Sequence, residues 1–332
     1  MIISRTPLRI SFAGGGSDLA AFYRQEPGAV LSTAINKYIY INVNKKFNDQ
    51  IRASYSVTEI VDNVDELKHE LIRESLKMVL PPCGIEITSI SDIPSQGTGL
   101  GSSSTYTVGL LKSLYAYKGQ HVGAERLAKG ACEIEIERCK KPIGKQDQYI
   151  AAYGGFQYIR FNSDESVFVD PVICSPETKL QLQRCLLMLY TGMTRSTDQI
   201  LKEQSINTKF DEKKRFSLRK MTELAGELRD SLVCNDLDGF GEILHQGWME
   251  KRKLAAGISN HQIDEWYAIA RENGAIGGKV LGAGGGGFLL LFAPPESFQD
   301  IKRALPDLKP VPFNLEPQGS KIIYVEENGD CT

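Results

Sequence analysis

The stretch Pro94-Ser95-Gln96-Gly97-Thr98-Gly99-Leu100-Gly101-Ser102-Ser103-Ser104-Thr105 decides how this chain is read. It follows an alternating apolar run at 85–90, read as a strand. It precedes a segment starting near Ser102 in which Val108, Leu111, Leu114 and Tyr115 recur at helical spacing, up to a stop at Gly119. Glycines at 97, 99 and 101 let the backbone turn tightly and expose its amides, and the helix N-terminus adds unpaired N–H groups with a partial positive charge. Such a loop cradles a polyphosphate, and the hydroxyls of Ser102, Ser103 and Ser104 reach phosphate oxygens or a bound Mg²⁺. The alternative is a plain Gly/Ser loop with a serine N-cap. It is not a Walker A loop, because no Lys-Ser or Lys-Thr follows the last glycine.

Two further glycine clusters flank this one. Towards the C-terminus, Gly282-Ala283-Gly284-Gly285-Gly286-Gly287 formally matches GxGxxG. A dinucleotide fingerprint needs a helix directly after it, whereas Phe288–Phe292 reads as a buried strand, with the helix upstream at 260–272. A glycine run entering a strand suits close approach of backbone to a ligand or to another loop, and a tight bulged hairpin entry is the plainer account. Towards the N-terminus, Pro7-Leu8-Arg9-Ile10-Ser11-Phe12-Ala13-Gly14-Gly15-Gly16-Ser17-Asp18 runs a strand into a glycine turn, where Ser17 or Asp18 caps a short helix. Arg9 in that apolar strand needs a partner if it points inward, and otherwise faces solvent.

The rest of the chain is organised around these loops. Strands are predicted at 8–12, 38–43, 156–161, 167–169, 186–190, 288–292 and 321–325. Helices are predicted over about 62–80, closed by Pro81-Pro82, and over 122–139, with Leu127, Ala131, Ile134 and Arg138 in one stripe. The stretch 208–272 reads as helical, its last helix opened by a capping box of Ser259 with Gln262. The polar segment Ser175–Lys179 reads as a linker, giving an α+β chain of two domains, 1–178 and 179–332. Glu133, Glu135 and Glu137 fan out around their helix by about 200° between successive odd positions, so they cannot share one site, and such a run ordinarily faces solvent. Asp147, in the loop that follows, could simply cap the next helix.

Composition narrows the classes. The chain has 332 residues, 42% hydrophobic and 24% charged, as an ordinary globular protein does. With 39 Lys plus Arg against 41 Asp plus Glu, the net charge is −2, so no basic field points to nucleic acid or a membrane surface. No apolar run approaches the ~20 residues that span a bilayer. The first residues lack the features of a secretory signal, and seven cysteines without CxxC spacing fit reduced thiols, so a cytoplasmic location is expected.

Together, the Pro7-Leu8-Arg9 strand with its glycine turn, the Gly99-Leu100-Gly101-Ser102-Ser103 loop behind Pro94, and the C-terminal glycine run resemble, in order and over essentially the whole chain, the GHMP kinase superfamily. The resemblance implies that family's two-domain architecture with the active site between the domains, and ATP- and Mg²⁺-dependent phosphoryl transfer to the hydroxyl of a small molecule. It places the ATP phosphates on Gly97, Gly99, Leu100, Gly101 and Ser102 to Ser104. It places Mg²⁺ on Ser103 and on Glu135, seven residues before Pro142, leaving Glu133 and Glu137 as solvated charges. The family's aspartate, in the pattern Pro-x-Gly-x-x-Asp-Gln, falls on Asp147. Asp147 would then accept the substrate proton or orient the hydroxyl, and Arg9 would hold Asp147 ionised or steady the developing oxyanion.

The N-terminal motif is similar to the variant found in D-glycero-D-manno-heptose 7-phosphate kinases and, less closely, in L-fucokinase domains. That likeness implies phosphorylation of the anomeric hydroxyl of the heptose phosphate to a 1,7-bisphosphate, feeding nucleotide-activated heptose. It puts the sugar against Asp18, Gly15, Gly16 and Ser17, with Gly192, Gly284 and Gly285 nearby. Arg195, in a segment that also resembles the heptose group, or Lys145 would hold the sugar phosphate, and either could instead be a surface cation. A kinase of an unphosphorylated sugar such as L-fucose at C1, and a sensor that keeps the fold without turnover, are the alternatives. The partners expected are a small-molecule sugar phosphate and, in a homodimer, a second copy of the chain.

Overall fold

The computed structural model describes residues 1–79, 84–94, 97–193 and 197–326. In chain order the first part holds β1 (Ile2–Ala13), α1 (Ala20–Tyr23), β2 (Gly28–Lys45), β3 (Ile51–Ser54), β4 (Thr58–Val61), α2 (Glu70–Val79), β5 (Ile85–Ser91), α3 (Ser102–Tyr117), α4 (Ala124–Cys132), α5 (Gln146–Tyr153), β6 (Phe156–Phe161) and β7 (Val167–Pro171). The second part holds α6 (Pro176–Arg184), β8 (Leu186–Tyr190), α7 (Thr197–Phe210), α8 (Glu212–Val233), α9 (Phe240–Lys251), α10 (His261–Glu272), β9 (Gly277–Val280), β10 (Phe288–Phe292), α11 (Phe298–Ala304), β11 (Lys309–Pro310) and β12 (Lys321–Val325).

The long strand β2 organises the first sheet. Its start, Gly28–Thr33, pairs with β6, and its end, Ile39–Lys45, pairs with β5, while β1 runs antiparallel along its whole length. The eight strands follow the order β12-β1-β2-β5-β3-β4, with β6 and β7 attached to the first half of β2. The second sheet is antiparallel, in the order β11-β8-β10-β9. Its strands show why near-continuous apolar runs are needed there. Leu186, Met188, Phe288 and Leu290 face the large core shared with the first sheet, whereas Leu187, Leu189, Leu289 and Leu291 face a second core built with Met221, Trp248 and Ile263. Both faces of β8 and β10 are therefore dry. Phe12 of β1 stacks on Phe156 at 5.4 Å and meets Phe240 of α9 edge-on at 5.5 Å, tying the halves together. Each such pair adds about 0.5–1.5 kcal/mol beyond its buried area.

Several expectations need correction. The helix expected over 62–80 is a 3₁₀ turn at Val64–Glu66 followed by α2, because Leu67 leaves the helical region with ψ 125°. Pro81 and Pro82 lie outside the described residues. Strands β3 and β4 were not predicted, being four residues each with half-exposed alternate positions. The expected linker Ser175–Lys179 is the start of α6, with Ser175 capping Thr178 N–H at 3.0 Å and Pro176 in the first turn. A cut at 178 thus falls inside a helix, and it does not separate the two sheets, since β12 returns to pair with β1. The cap of α10 is Asn260, accepting from Ile263 N–H at 3.0 Å, while Ser259 donates to Asp264. The stretch 208–272, read as a succession of helices, holds the end of α7 followed by α8 to α10. Among the described residues the five cysteines are free, and no helix is long and apolar enough to cross a membrane.

Candidate active site

A cleft of about 680 Å³ is lined by both halves of the chain, from Arg9, Ser11 and Asp18 through the loop Gly97–Ser104 and Asp147 to Lys251, Lys279 and Gly282. Its floor is the central glycine loop. Gly97, Gly99 and Gly101 all take left-handed φ, between 68° and 77°, and Gly101 is the N-cap of α3. Gly99 has a second reason to be glycine: a Cβ there would lie 2.3 Å from the carbonyl oxygen of Leu281. Leu100 is wholly buried beneath the loop, and its carbonyl accepts from Arg9 N–H at 3.1 Å. The amides of 101–104 that open α3 face the cleft, with Ser102, Ser103 and Ser104 beside them.

Ser103 and Glu135 meet although 32 residues apart. Ser103 Oγ donates to Glu135 Oε1 at 2.7 Å, and Gln148 Nε2 donates to Oε2 at 2.7 Å. Residues Glu133–Arg138 continue α4 as a π-turn, in which Cys139 N–H reaches back five residues to Ile134 at 2.9 Å. This turn points Glu135 into the molecule, fully buried, while Glu137 stays in solvent and Glu133 pairs with Arg138 at 2.6 Å. Burial pushes the Glu135 carboxyl up to about 7, against the hydrogen bonds from Ser103, Ser104 and Gln148 that favour its charge. Its hydrogen-bond partners are all neutral. A buried carboxylate without a cationic partner, next to a hydroxyl and a glycine loop that opens a helix, suits Mg²⁺, which takes one or two protein oxygens and keeps its remaining positions for phosphates and water. Among the described residues no cluster of three or more His, Cys, Asp or Glu could hold a metal by protein ligands alone.

Across the cleft, Arg9 is buried rather than solvent-facing, at 3% exposure. Its Nε and Nη2 each donate to one oxygen of Asp147 at 2.7 Å, and Nη1 donates to the carbonyl of Gly99 at 2.6 Å. This bidentate fork ties Asp147, in the first turn of α5, to the glycine loop. Asp18 is also buried. It accepts from Gly16 N–H at 2.8 Å and from the N–H and side-chain amide of Gln146 at 3.2 and 3.3 Å, and desolvation raises its carboxyl above the ordinary range. Gly15 and Gly16 line the cleft next to it, whereas Ser17 is turned inward, exchanging hydrogen bonds with Ala29.

Other expected residues lie elsewhere. Lys145 does not line the cleft: it donates to Glu165 at 2.5 Å, beside Arg24 bound to the same carboxylate, and packs 4.7 Å over Tyr23. Gly192 is exposed at a turn and also lies off the cleft. Arg195 lies outside the described residues. Gly284 and Gly285 pack against Ile258, whose carbonyl accepts from Gly285 N–H at 2.9 Å, so the cleft is lined by Gly282 and Ala283 instead. The C-terminal glycines are an interlock: a Cβ on Gly282 would lie 2.5 Å from Gly99 Cα, and one on Gly287 2.4 Å from the Thr98 carbonyl.

Among the cleft residues that escaped the sequence reading are Ser11 and two lysines, Lys251 and Lys279, each lysine buried and bound to a backbone carbonyl of the first domain. Burial pulls both ammoniums below the ordinary lysine range, Lys251 to about 8. The signal available was a lysine in the apolar segment Gly277–Val280, directly ahead of the glycine run.

Residues 60–155 match the family description "GHMP kinases N terminal domain" and residues 224–310 match "GHMP kinases C terminal". A D-glycero-alpha-D-manno-heptose 7-phosphate kinase of Campylobacter jejuni is 30% identical over 316 residues, covering 92% of this chain and 93% of that one. A bifunctional fucokinase/GDP-fucose pyrophosphorylase of Arabidopsis thaliana is 25% identical and matches 90% of this chain but 30% of its own length. Among solved structures, a D-glycero-D-manno-heptose 1-phosphate kinase from Bacteroides thetaiotaomicron superposes with a TM-score of 0.82 at 25% identity, covering 98% of this chain and 100% of that one.

Proposed function

Since the chain belongs to the GHMP kinases, phosphotransferases acting on an alcohol group, we propose that it phosphorylates the anomeric hydroxyl of D-glycero-D-manno-heptose 7-phosphate with ATP, giving the 1,7-bisphosphate. The observation that carries this reading is the likeness, over 93% of its length, to a heptose 7-phosphate kinase.

The chemistry follows from the cleft. The glycine loop and the N-terminal amides of α3 hold the ATP phosphates. Ser103 and Glu135 would hold Mg²⁺, which when bound offsets the charge of the β- and γ-phosphates. Phosphoryl transfer asks for positioning and charge stabilisation more than covalent help. Asp147, fixed by the Arg9 fork, orients the acceptor hydroxyl and takes its proton as the oxygen bonds to the γ-phosphorus and ADP departs. Arg9 also links Asp147 to Gly99 at 2.6 Å, so acceptor and donor are held by one guanidinium. Asp18, Gly15 and Gly16 form the wall for sugar hydroxyls. A cytoplasmic setting, where ATP and sugar phosphates occur, accords with this chemistry.

The test is coupled ADP release with Mg-ATP and a panel of heptose 7-phosphate, sedoheptulose 7-phosphate, mannose, fucose and galactose, with a blank lacking sugar. Turnover on heptose 7-phosphate alone supports the assignment. Turnover on a neutral sugar keeps the kinase and discards the heptose, in favour of the C1 kinase reading suggested by the fucokinase likeness. Silence across the panel points to a sensor.

A further inference from the structure

The mechanism above leaves two buried cations unused. Lys251, at the end of α9, is 4% exposed, and Lys279, in β9, is 5% exposed. Lys251 Nζ donates to the Gly15 carbonyl at 3.1 Å and to Gln204 Oε1 at 3.3 Å. Lys279 Nζ donates to the carbonyls of Ser11 at 2.7 Å and Phe12 at 3.1 Å. Neither forms an ion pair with a described carboxylate. An ammonium has three donors, so each keeps one N–H with no described protein partner. Ser11, whose carbonyl Lys279 holds, has an Oγ that is buried without a hydrogen-bond partner among the described residues. All three side chains line the cleft. Gly15 lies directly against this hydroxyl, where a Cβ would come to van der Waals contact with Ser11 Oγ at 3.7 Å.

Burying these ammoniums is costly: the Asp18 carboxylate offsets part of that cost at Lys251, while Arg9 repels both lysines and Lys251 repels Lys279, which has carbonyl dipoles as its described partners. An anion would relieve all of these terms at once. Both lysines rest on the end of β1 and on the glycine turn that carries Asp18, not on the loop Gly97–Ser104. The anion they face therefore sits with the acceptor, and is not part of the ATP triphosphate. We propose that Lys251, Lys279 and Ser11 form an anion subsite that takes the phosphate monoester the acceptor already carries. This assignment rests on the kinase reading above, and it replaces Lys145 as the cation for the sugar phosphate.

Binding without nucleotide tests it apart from turnover. Titration calorimetry compares heptose 7-phosphate with the unphosphorylated heptose on the wild-type chain and on Lys251→Met, Lys279→Met and Ser11→Ala. KM for ATP is measured in parallel. The wild type binds the phosphorylated sugar more tightly. Each lysine variant weakens that binding by about 10- to 100-fold and Ser11→Ala by about 3- to 10-fold, with the neutral heptose and the KM for ATP held within about 3-fold. Ser11→Ala breaks no existing contact, so it decides the matter if a lysine variant fails to fold. Equal affinity of the wild type for the two sugars overturns the subsite. So does an equal loss for both sugars, which would make the lysines mere straps between the domains, and so does a rise in KM for ATP with sugar-phosphate binding unmoved. A chain that binds the sugar phosphate through these residues yet releases no ADP loses the kinase reading and keeps the subsite.

Discussion

Replacing Glu135 by Gln should make this protein less active at every pH and more stable only above a certain pH. The buried carboxyl of Glu135 is raised from 4.5 to about 7. Between those values the folded chain holds a proton that the unfolded chain has released. The stability tied to this group is thus complete below about pH 4.5, falls as pH rises towards 7, and stays lost above it. A difference of about 2.5 pH units corresponds to roughly 3 kcal/mol for a group with no solvent exposure. Gln carries no charge and fits the same place. The Oε1 of Gln148 has no partner, so a flip of that amide presents an acceptor to the new side chain. For a chain of this size the gain corresponds to roughly 4–6 °C in melting temperature. The assay is thermal unfolding of both proteins from about pH 5 to pH 8, with EDTA and no nucleotide, because a divalent cation favours the ionised carboxylate and closes the gap. The variant should melt close to wild type at the acid end and above it at the alkaline end, while Mg-ATP turnover drops at every pH. A melting gap independent of pH, or a variant less stable at pH 8, would refute the reasoning.

The other expectations are narrower. Asp147→Asn keeps the size of the side chain but not its proton acceptance, so turnover should fall by roughly 10²–10⁴ with ATP affinity near normal, and weak ATP binding with unchanged turnover sinks the assignment. Gly99→Ala puts a methyl 2.3 Å from the Leu281 carbonyl at a φ of 76°, which should cost about 2–4 kcal/mol in urea unfolding and weaken nucleotide binding. Lys145→Ala should leave the KM for the sugar phosphate within about 2-fold, because that lysine is engaged with Glu165 away from the cleft; a large rise would restore it as a ligand.

The central loop was legible because its chemistry is local: glycines, a helix start and serines lie within a dozen residues. Glu135 could be chosen among three glutamates only through the family resemblance, since the fan of a regular helix does not foretell the π-turn that buries it. The surroundings of the lysines were hidden from the sequence for one reason. A cation next to Asp147 in sequence looked functional, yet its partner Glu165 arrives from the β6–β7 turn. Lys251 and Lys279 carried no reading, because their carbonyl partners lie more than 230 residues away. The C-terminal glycine run suits approach to a ligand or to another loop, and only packing separates the two: Gly284 and Gly285 lie on Ile258, whereas Gly282 and Gly287 meet the central loop at Gly99 and Thr98. Ser175 and Pro176 carried a helix-start signal that their polarity disguised as a linker.

The pairing of β12 with β1 bears on how the chain is made. The edge strand of the first sheet leaves the ribosome roughly 300 residues after the strand it covers. At ordinary rates of synthesis β1 then waits about 15–60 s with its outer hydrogen-bonding edge open. Nascent β1 is consequently exposed to pairing with a neighbouring chain, and to binding by a chaperone, until β12 has been made.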